Sequence, residues 1–552
     1  MRLIPLVATA ALAACSAKEV KLAMSSDQTL RTRPRGAPQS SPSHDPILVV
    51  ALDGMSRDLL YDMLRRGELP NTAALLGGDG LAHAYLVPHL VSTLPSLTLP
   101  AWVSAMTGFT PAEHGVAGNE YFIRERRELA CPSPISFHDA GATLSVYTDH
   151  YVDKLIEVPT VYERMREREP AINIWVAMNH VFRGADRLMI ADRFAFVRAF
   201  QGYIQNELEK LTEDHPTMTL FETVDTVGVD VTIDHLANDP LPDVLTLYLA
   251  GTDLYAHVAV EGPDAARRMY MKRVVDPQLG RIVNVMRRRG RLDREWVIVI
   301  ADHGHTPVLH DKQHALGASD GPATLLRRAG FRVRPFKRDV DAKDRFSAVL
   351  AYGGPMAYVY LADRSRCTPV CDWARPPRYD EDVLPAADAF FRANQDGTGY
   401  PGMRSTLDMV LVRRPRPWPE DDLPFEVYVG NGRTQSLVNY LRDHPHPTYV
   451  DFVQRMHDLA VGMRGERAGD VLLLTHDGDV ANVDGRFYFA GLYRSFHGSP
   501  SRADSEIPLI VGNRQHSAAA IGRWVDRTLG DRPYIERLTD LLLGLRAGAF
   551  GD

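Results

Sequence analysis

The sequence predicts an α/β fold: a mostly parallel central sheet flanked by helices, with a smaller inserted subdomain. Three observations carry this. The unbroken apolar runs Ile47–Leu52, Leu245–Leu249 and Trp296–Ala301 read as strands buried on both faces. Helical patterns stand between them, which is how a parallel sheet is written in sequence. Close behind each run comes a carboxylate (Asp53, Asp253, Asp302), placed at the sheet edge where open α/β folds bind ligands.

The elements justify themselves in chain order. Residues 1–14 have the build of a lipoprotein signal peptide: Met1-Arg2, an apolar stretch from Leu3 to Leu12 too short to span a bilayer, then small residues before Cys15. Cleavage there would leave Cys15 lipidated, which places the chain in a bacterial cell envelope as an outer-membrane lipoprotein. Residues 15–45, rich in Ser, Lys, Arg, Pro and Gln, are expected to form the lipidated N-terminus and a disordered tether. The first part of the core is expected over 46–320. In it, Leu59–Arg66 reads as a helix stopped by Gly67, and Thr160 with Glu163 has capping-box spacing. The region 197–238 looks mainly helical. Asp264–Arg289 reads as one long helix that Pro277 can kink. Over 321–467 segments shorten and prolines become denser, which marks the inserted subdomain. Asp470–Thr475 resumes the strand pattern, so 468–552 is expected to return to the core, carry His497 and close with helices.

The stretch from Thr93 to Gly108 is the most informative. Pro100 suits the first position of a helix that Gly108 stops, so Thr98 would sit just before it, beside free N–H groups that favour an anion. Alone, such a hydroxyl is a cap. Asp53-Gly54 alone is a turn, Asp253 with His257 a surface pair, and His497 a loop histidine. Collected, they are an Asp/His set suited to a metal such as zinc. Asp302-His303 puts an oxygen and a nitrogen ligand on adjacent residues, which requires the chain to leave strand geometry there; Gly304 permits it. His305, His310 and His314 follow closely and read either as supports for those ligands or as solvated loop residues.

These segments, in this order, resemble the alkaline phosphatase superfamily, and within it the type I phosphodiesterase/nucleotide pyrophosphatase branch: Val49–Gly54, Pro95–Pro100 with Thr107-Gly108, His114–Asn119, Asp253–His257, Ala301–Gly304 and Phe496–Gly498. The resemblance covers roughly 46–310 and 470–512. It implies an alkaline phosphatase-like fold and two divalent metal ions, zinc first and manganese second. One would be held by Asp53, Asp302, His303 and the Thr98 oxygen, the other by Asp253, His257 and His497. It further implies hydrolysis of phosphate esters, of phosphodiester or nucleotide pyrophosphate type, through a phosphothreonine on Thr98. The Leu99 backbone N–H and Asn119 are the expected phosphate contacts. Members of the branch carry Asn where Ala101 stands here, which keeps a phosphomonoesterase as the alternative. A sulfatase is disfavoured because neither Cys131-Pro132-Ser133-Pro134 nor Cys367-Thr368-Pro369-Val370 supplies the Arg of that signature. A non-catalytic binding lipoprotein would need a missing ligand.

A chain of 552 residues with 45% hydrophobic content buries a large core. Its formal charge of −7, without a basic block interleaved with aromatics, gives nucleic-acid binding no support. The expected partners are a small phosphate ester and, through Cys15, a membrane. Of four cysteines, Cys367 and Cys371 are placed to close a small ring.

Overall fold

The computed structural model describes residues 29–31 and 45–550, apart from 138, 191–217, 342, 418 and 420–421. The expected signal peptide, Cys15 and the 197–217 part of the expected helical region lie outside the described residues.

The main sheet has eight strands, in the order Thr29–Arg31, Arg187–Met189, Ile174–Ala177, Val244–Leu249, Ile47–Leu52, Trp296–Ala301, Leu509–Gly512, Ala84–Leu86. The five from Arg187–Met189 to Trp296–Ala301 are mutually parallel; the rest join antiparallel at the two edges. Thr29–Arg31 corrects the expectation of an unstructured tether, because it pairs with Arg187–Met189.

Strand periodicity explains the unbroken apolar runs. Ile47, Val49 and Ala51 face one core; Leu48, Val50 and Leu52 face the other. The first core takes the helices Thr98–Thr107, Val161–Arg168, Ala518–Leu529 and Leu538–Arg546. The second takes Arg57–Arg65, Thr219–Asn238, Pro263–Tyr270 and Asp276–Arg288. With both faces covered, the central strands are almost wholly apolar; Thr246 is accommodated by the Tyr162 hydroxyl at 2.8 Å.

Local signals act as their chemistry dictates. Thr160 Oγ1 accepts from the Glu163 N–H at 3.2 Å while Glu163 Oε2 accepts from the Thr160 N–H at 2.8 Å, closing the capping box. The long helix expected at 264–289 is carried past Pro277 by a wide π turn, Met271–Val275. No helix of the described residues is long and apolar enough to cross a membrane.

The second sheet is antiparallel throughout, in the order Ala348–Gly353, Met356–Leu361, Val471–Thr475, Leu407–Arg413, Phe425–Gly430, Arg433–Ser436. Val471–Thr475, read from sequence as a return to the first core, lies instead at the centre of this sheet. Its side chains explain the misreading: Leu472 and Leu474 join the core of the main sheet, while Val471 and Leu473 join a third core. A strand covered on both faces looks the same in sequence whatever its partners. Only Leu509–Gly512 returns to the main sheet. Cys367 and Cys371 are disulfide-bonded, and Cys131 is free and buried.

Candidate metal centre

The site forms at the carboxyl ends of the three central parallel strands. Asp53 follows Ile47–Leu52 and Asp302 follows Trp296–Ala301, while Asp253 and His257 belong to the helical turn after Val244–Leu249. His303 and His305 follow Asp302, and His497 enters from the loop after the two-residue strand Ser495-Phe496. Thr98 comes from the start of the helix Thr98–Thr107. It is the first helical residue rather than the cap, which is Leu97; Pro100 therefore sits inside the first turn, where an N–H is still dispensable. Gly108 ends that helix in the left-handed conformation, as its position required.

The expected ligands converge. His303 Nε2 lies 3.2 Å from Thr98 Oγ1, 3.3 Å from Asp53 Oδ1 and 3.4 Å from Asp302 Oδ2. His257 Nε2 is 3.4 Å from Asp253 Oδ2, and His497 Nε2 is 3.4 Å from Asp253 Oδ1. The rings of His303 and His497 stack with centroids 3.5 Å apart. Tyr248 donates its hydroxyl to Asp53 Oδ2. The Gly54 N–H bonds Asp302 Oδ1 at 3.0 Å, tying two strand ends together.

His305, read from sequence as either a support for the ligands or a solvated loop residue, joins the site. His305 Nε2 is 2.8 Å from Asp253 Oδ1, and His305 groups with Asp253, His257 and His497. The available signal was the His303-Gly304-His305 spacing, which in extended chain puts both rings on one side. His314 is engaged elsewhere, with Asp311 and the Asp484 carbonyl.

The four histidines share one device. The Nδ1–H groups of His303, His257 and His497 point to the carbonyls of Gly304 (3.0 Å), Ser495 (2.8 Å) and Ser96 (3.0 Å). His305 Nδ1 meets Ser495 Oγ at 3.1 Å, whose own hydroxyl donates to the Ala256 carbonyl. Every Nε2 is thereby turned toward the carboxylates, the orientation a metal-binding imidazole needs.

Electrostatics point the same way. Burial, then repulsion from Asp53, raises the Asp302 pKa well above the carboxylate range. Burial works against charge on Asp253 too, but the His257 and His305 imidazoles hold it well below that range. Burial disfavours an imidazolium at His303, yet Asp302 and Asp53 bring its pKa to about 10. Burial keeps His305 and His497 well below the ordinary histidine value. Asp53 Oδ1 and Asp302 Oδ2 are buried without a hydrogen-bond donor. Carboxylate oxygens buried without donors beside inward-turned imidazole nitrogens fit divalent cations bound by oxygen and nitrogen.

The expected phosphate contacts engage each other: Asn119 Oδ1 accepts from the Leu99 N–H at 3.0 Å. Ala101 is wholly buried and packs in the core of the main sheet. The amide beside Thr98 comes from Asn119.

The chain has recognisable relatives among known proteins. Residues 47–365 match the family described as type I phosphodiesterase/nucleotide pyrophosphatase. An uncharacterized pyrophosphatase/phosphodiesterase of Schizosaccharomyces pombe is 22% identical over 308 residues, 54% of this chain and 53% of that one. Human ectonucleotide pyrophosphatase/phosphodiesterase family member 7 is 25% identical over 281 residues, 51% of this chain and 52% of that one. The chain thus aligns with about half the length of these curated relatives. Among solved structures, murine ectonucleotide pyrophosphatase/phosphodiesterase 5 aligns over 91% of this chain and 95% of its own at 13% identity, with a TM-score of 0.47. With more than half its length matched, the chain belongs to the type I phosphodiesterase/nucleotide pyrophosphatase family.

Proposed function

We propose that the protein hydrolyses phosphodiester or nucleotide pyrophosphate bonds, with Thr98 as nucleophile, at a site for two divalent cations. The observation that carries this is the Thr98 hydroxyl placed 3.2 Å from His303 Nε2, beside Asp53 and Asp302. Asp53, Asp302, His303 and Thr98 Oγ1 would hold one cation; Asp253, His257 and His497 would hold the other, with His305 bonded to Asp253. Such cations, zinc by donor type, lower the pKa of a hydroxyl and neutralise charge that develops at phosphorus.

In the first step Thr98 Oγ1 loses its proton to solvent and bonds to phosphorus as the ester P–O bond breaks, and the leaving group departs with that electron pair and takes up a proton from solvent. In the second, water attacks the phosphothreonine, the phosphorus–Thr98 bond breaks, and the hydroxyl is regenerated. Asn119 orients the first helical turn through the Leu99 N–H, fixing the direction from which Thr98 approaches.

The test is a panel of a generic phosphodiester, a phosphomonoester, a sulfate ester and a nucleotide pyrophosphate, with and without chelator. Diester and pyrophosphate are expected to be cleaved fastest, and only without chelator. Thr98→Ala is expected to bind metal at the wild-type level and lose activity by about 1,000-fold or more. Wild-type turnover by Thr98→Ala would sink the nucleophile assignment; preference for the monoester would favour the phosphomonoesterase. The envelope location is a separate proposal, supported by the residues before Cys15. Cys15→Ser is expected to move the protein from the membrane fraction to the soluble one.

A further inference from the structure

A second mixed Asp/His cluster lies outside the catalytic centre, in the six-stranded sheet. It is built on a β-bulge. Leu407 pairs with Thr475 and Met409 with Leu474, so Asp408 is the extra residue and its side chain is turned out of the regular alternation. His476 directly follows the partner strand, with its N–H on the Thr406 carbonyl. Asp479 stands three residues on, and His446 comes from the connection between the helices Leu437–Asp443 and Phe452–Ala460.

The atoms converge. Ligand atoms of Asp408, His476 and Asp479 all lie within 4.8 Å of one another. Asp408 Oδ1 is 3.4 Å from His446 Nε2 and 3.9 Å from His476 Nδ1, and His476 Nδ1 is 2.9 Å from Asp479 Oδ2. Tyr449 stacks on His446 at 4.6 Å and donates its hydroxyl to Asp408 Oδ2 at 2.8 Å. The two carboxylates are each 5% exposed, while His476 is 32% exposed and opens the cluster to solvent. Between the ligands in sequence, Asp477 is 1% exposed and neither of its carboxylate oxygens meets a donor. Two buried carboxylates, Asp408 and Asp479, thus meet two imidazoles and one phenol, and the Asp477 carboxylate beside Asp479 has no donor of its own.

We propose that Asp408, His446, His476 and Asp479 form a third divalent-cation site, of zinc type by its two nitrogens and two oxygens, separate from the catalytic pair. Its role is to fasten the second sheet to the loop after His497. A Cβ at Gly478 would lie 2.4 Å from Ser501 Oγ, and Tyr449 bridges to Ser501 through its backbone, so residues 476–479 and 446–449 both lie against that loop.

The test is zinc content of the full chain after stripping and reloading, compared among the wild type, Asp408→Asn and His446→Gln. Each variant is expected to hold one equivalent fewer than the wild type. Asp253→Ala/His257→Ala, which removes catalytic ligands, is expected to keep a site that shows tetrahedral cobalt(II) absorption and loses it on adding His446→Gln. Equal zinc in the wild type and both single variants, with no such absorption, would reduce the cluster to an ion-pair network. His446 is on a connecting segment, so its variant serves even where Asp408→Asn fails to fold. The difference of one equivalent is independent of whether the catalytic pair is occupied.

Discussion

At the scale of single residues, the chain pairs chemistry-bearing groups with neighbours that fix their protonation. His114 is an example the catalytic reading did not absorb. It is fully buried; Nδ1 accepts from the Val116 N–H at 3.1 Å and Nε2 lies 2.9 Å from Ser104 Oγ, so it is held neutral. Burial, aided by the charge of Arg467, brings its pKa down to about 3. An unfolded histidine titrates near 6.5, so between those values the unfolded chain binds a proton that the folded chain refuses. Stability therefore falls as pH drops through this window, by up to about 1.4 kcal/mol per pH unit from this residue. His114→Gln is expected to be less stable at pH 7 by about 1–2 kcal/mol and to lose less on going to pH 5. Urea melts at the two pH values check this, and parallel losses in both proteins would refute it. The residues that converge at the candidate site were legible in sequence because each sits beside an unmistakable strand or in an ordered series of short segments. His305 was not, because its meaning depends on Ser495, far away in the chain, turning its ring toward Asp253.

At the scale of elements, the turns after the central strands are where packing is tightest. Gly304 was expected to provide conformational freedom. Close approach is the stronger demand on it. A Cβ there would sit 2.0 Å from the Ala503 carbonyl oxygen, and its N–H bonds the Asp504 carbonyl at 2.8 Å. Gly304→Ala is expected to cost about 1–3 kcal/mol and to push His303 and His305 out of register, lowering metal content together with the melting temperature. Wild-type values of both would show that the loop yields freely. The opposite turn is held by Arg455, from the helix Phe452–Ala460. Its guanidinium reaches the Thr93 carbonyl (2.5 Å), Ser96 Oγ (2.7 Å) and Ser505 Oγ (2.8 Å), joining the segment before Thr98 to the one after His497. No sequence rule locates such a clasp, since buried arginines follow no period. The parallel strands were readable because burial on both faces leaves unbroken apolar runs, and that same property hid the antiparallel placement of Val471–Thr475.

At the scale of the whole molecule, the two sheets share a core. Val349, Tyr358, Leu411 and Leu472 pack in the same cluster as Val49 and Trp102. The inserted region is therefore no detachable appendage. Excising 321–467 would strip Val471–Thr475 of both neighbours, Met356–Leu361 and Leu407–Arg413, and uncover that core. Such a deletion is expected to be insoluble on expression; a soluble, metal-binding product would overturn the shared-core reading. The site itself is gathered from Asp53, near the start of the described fold, to His497, near its end. That spread has a consequence for how the protein is made. At about 5–20 residues per second, the interval between the emergence of the first ligand and the last is on the order of tens of seconds. Throughout it, a nascent chain offers any passing ion an incomplete set of donors. On the proposed two-cation site, ions would thus be selected by the finished fold and not by the growing chain, and metal supply after synthesis would set the active fraction.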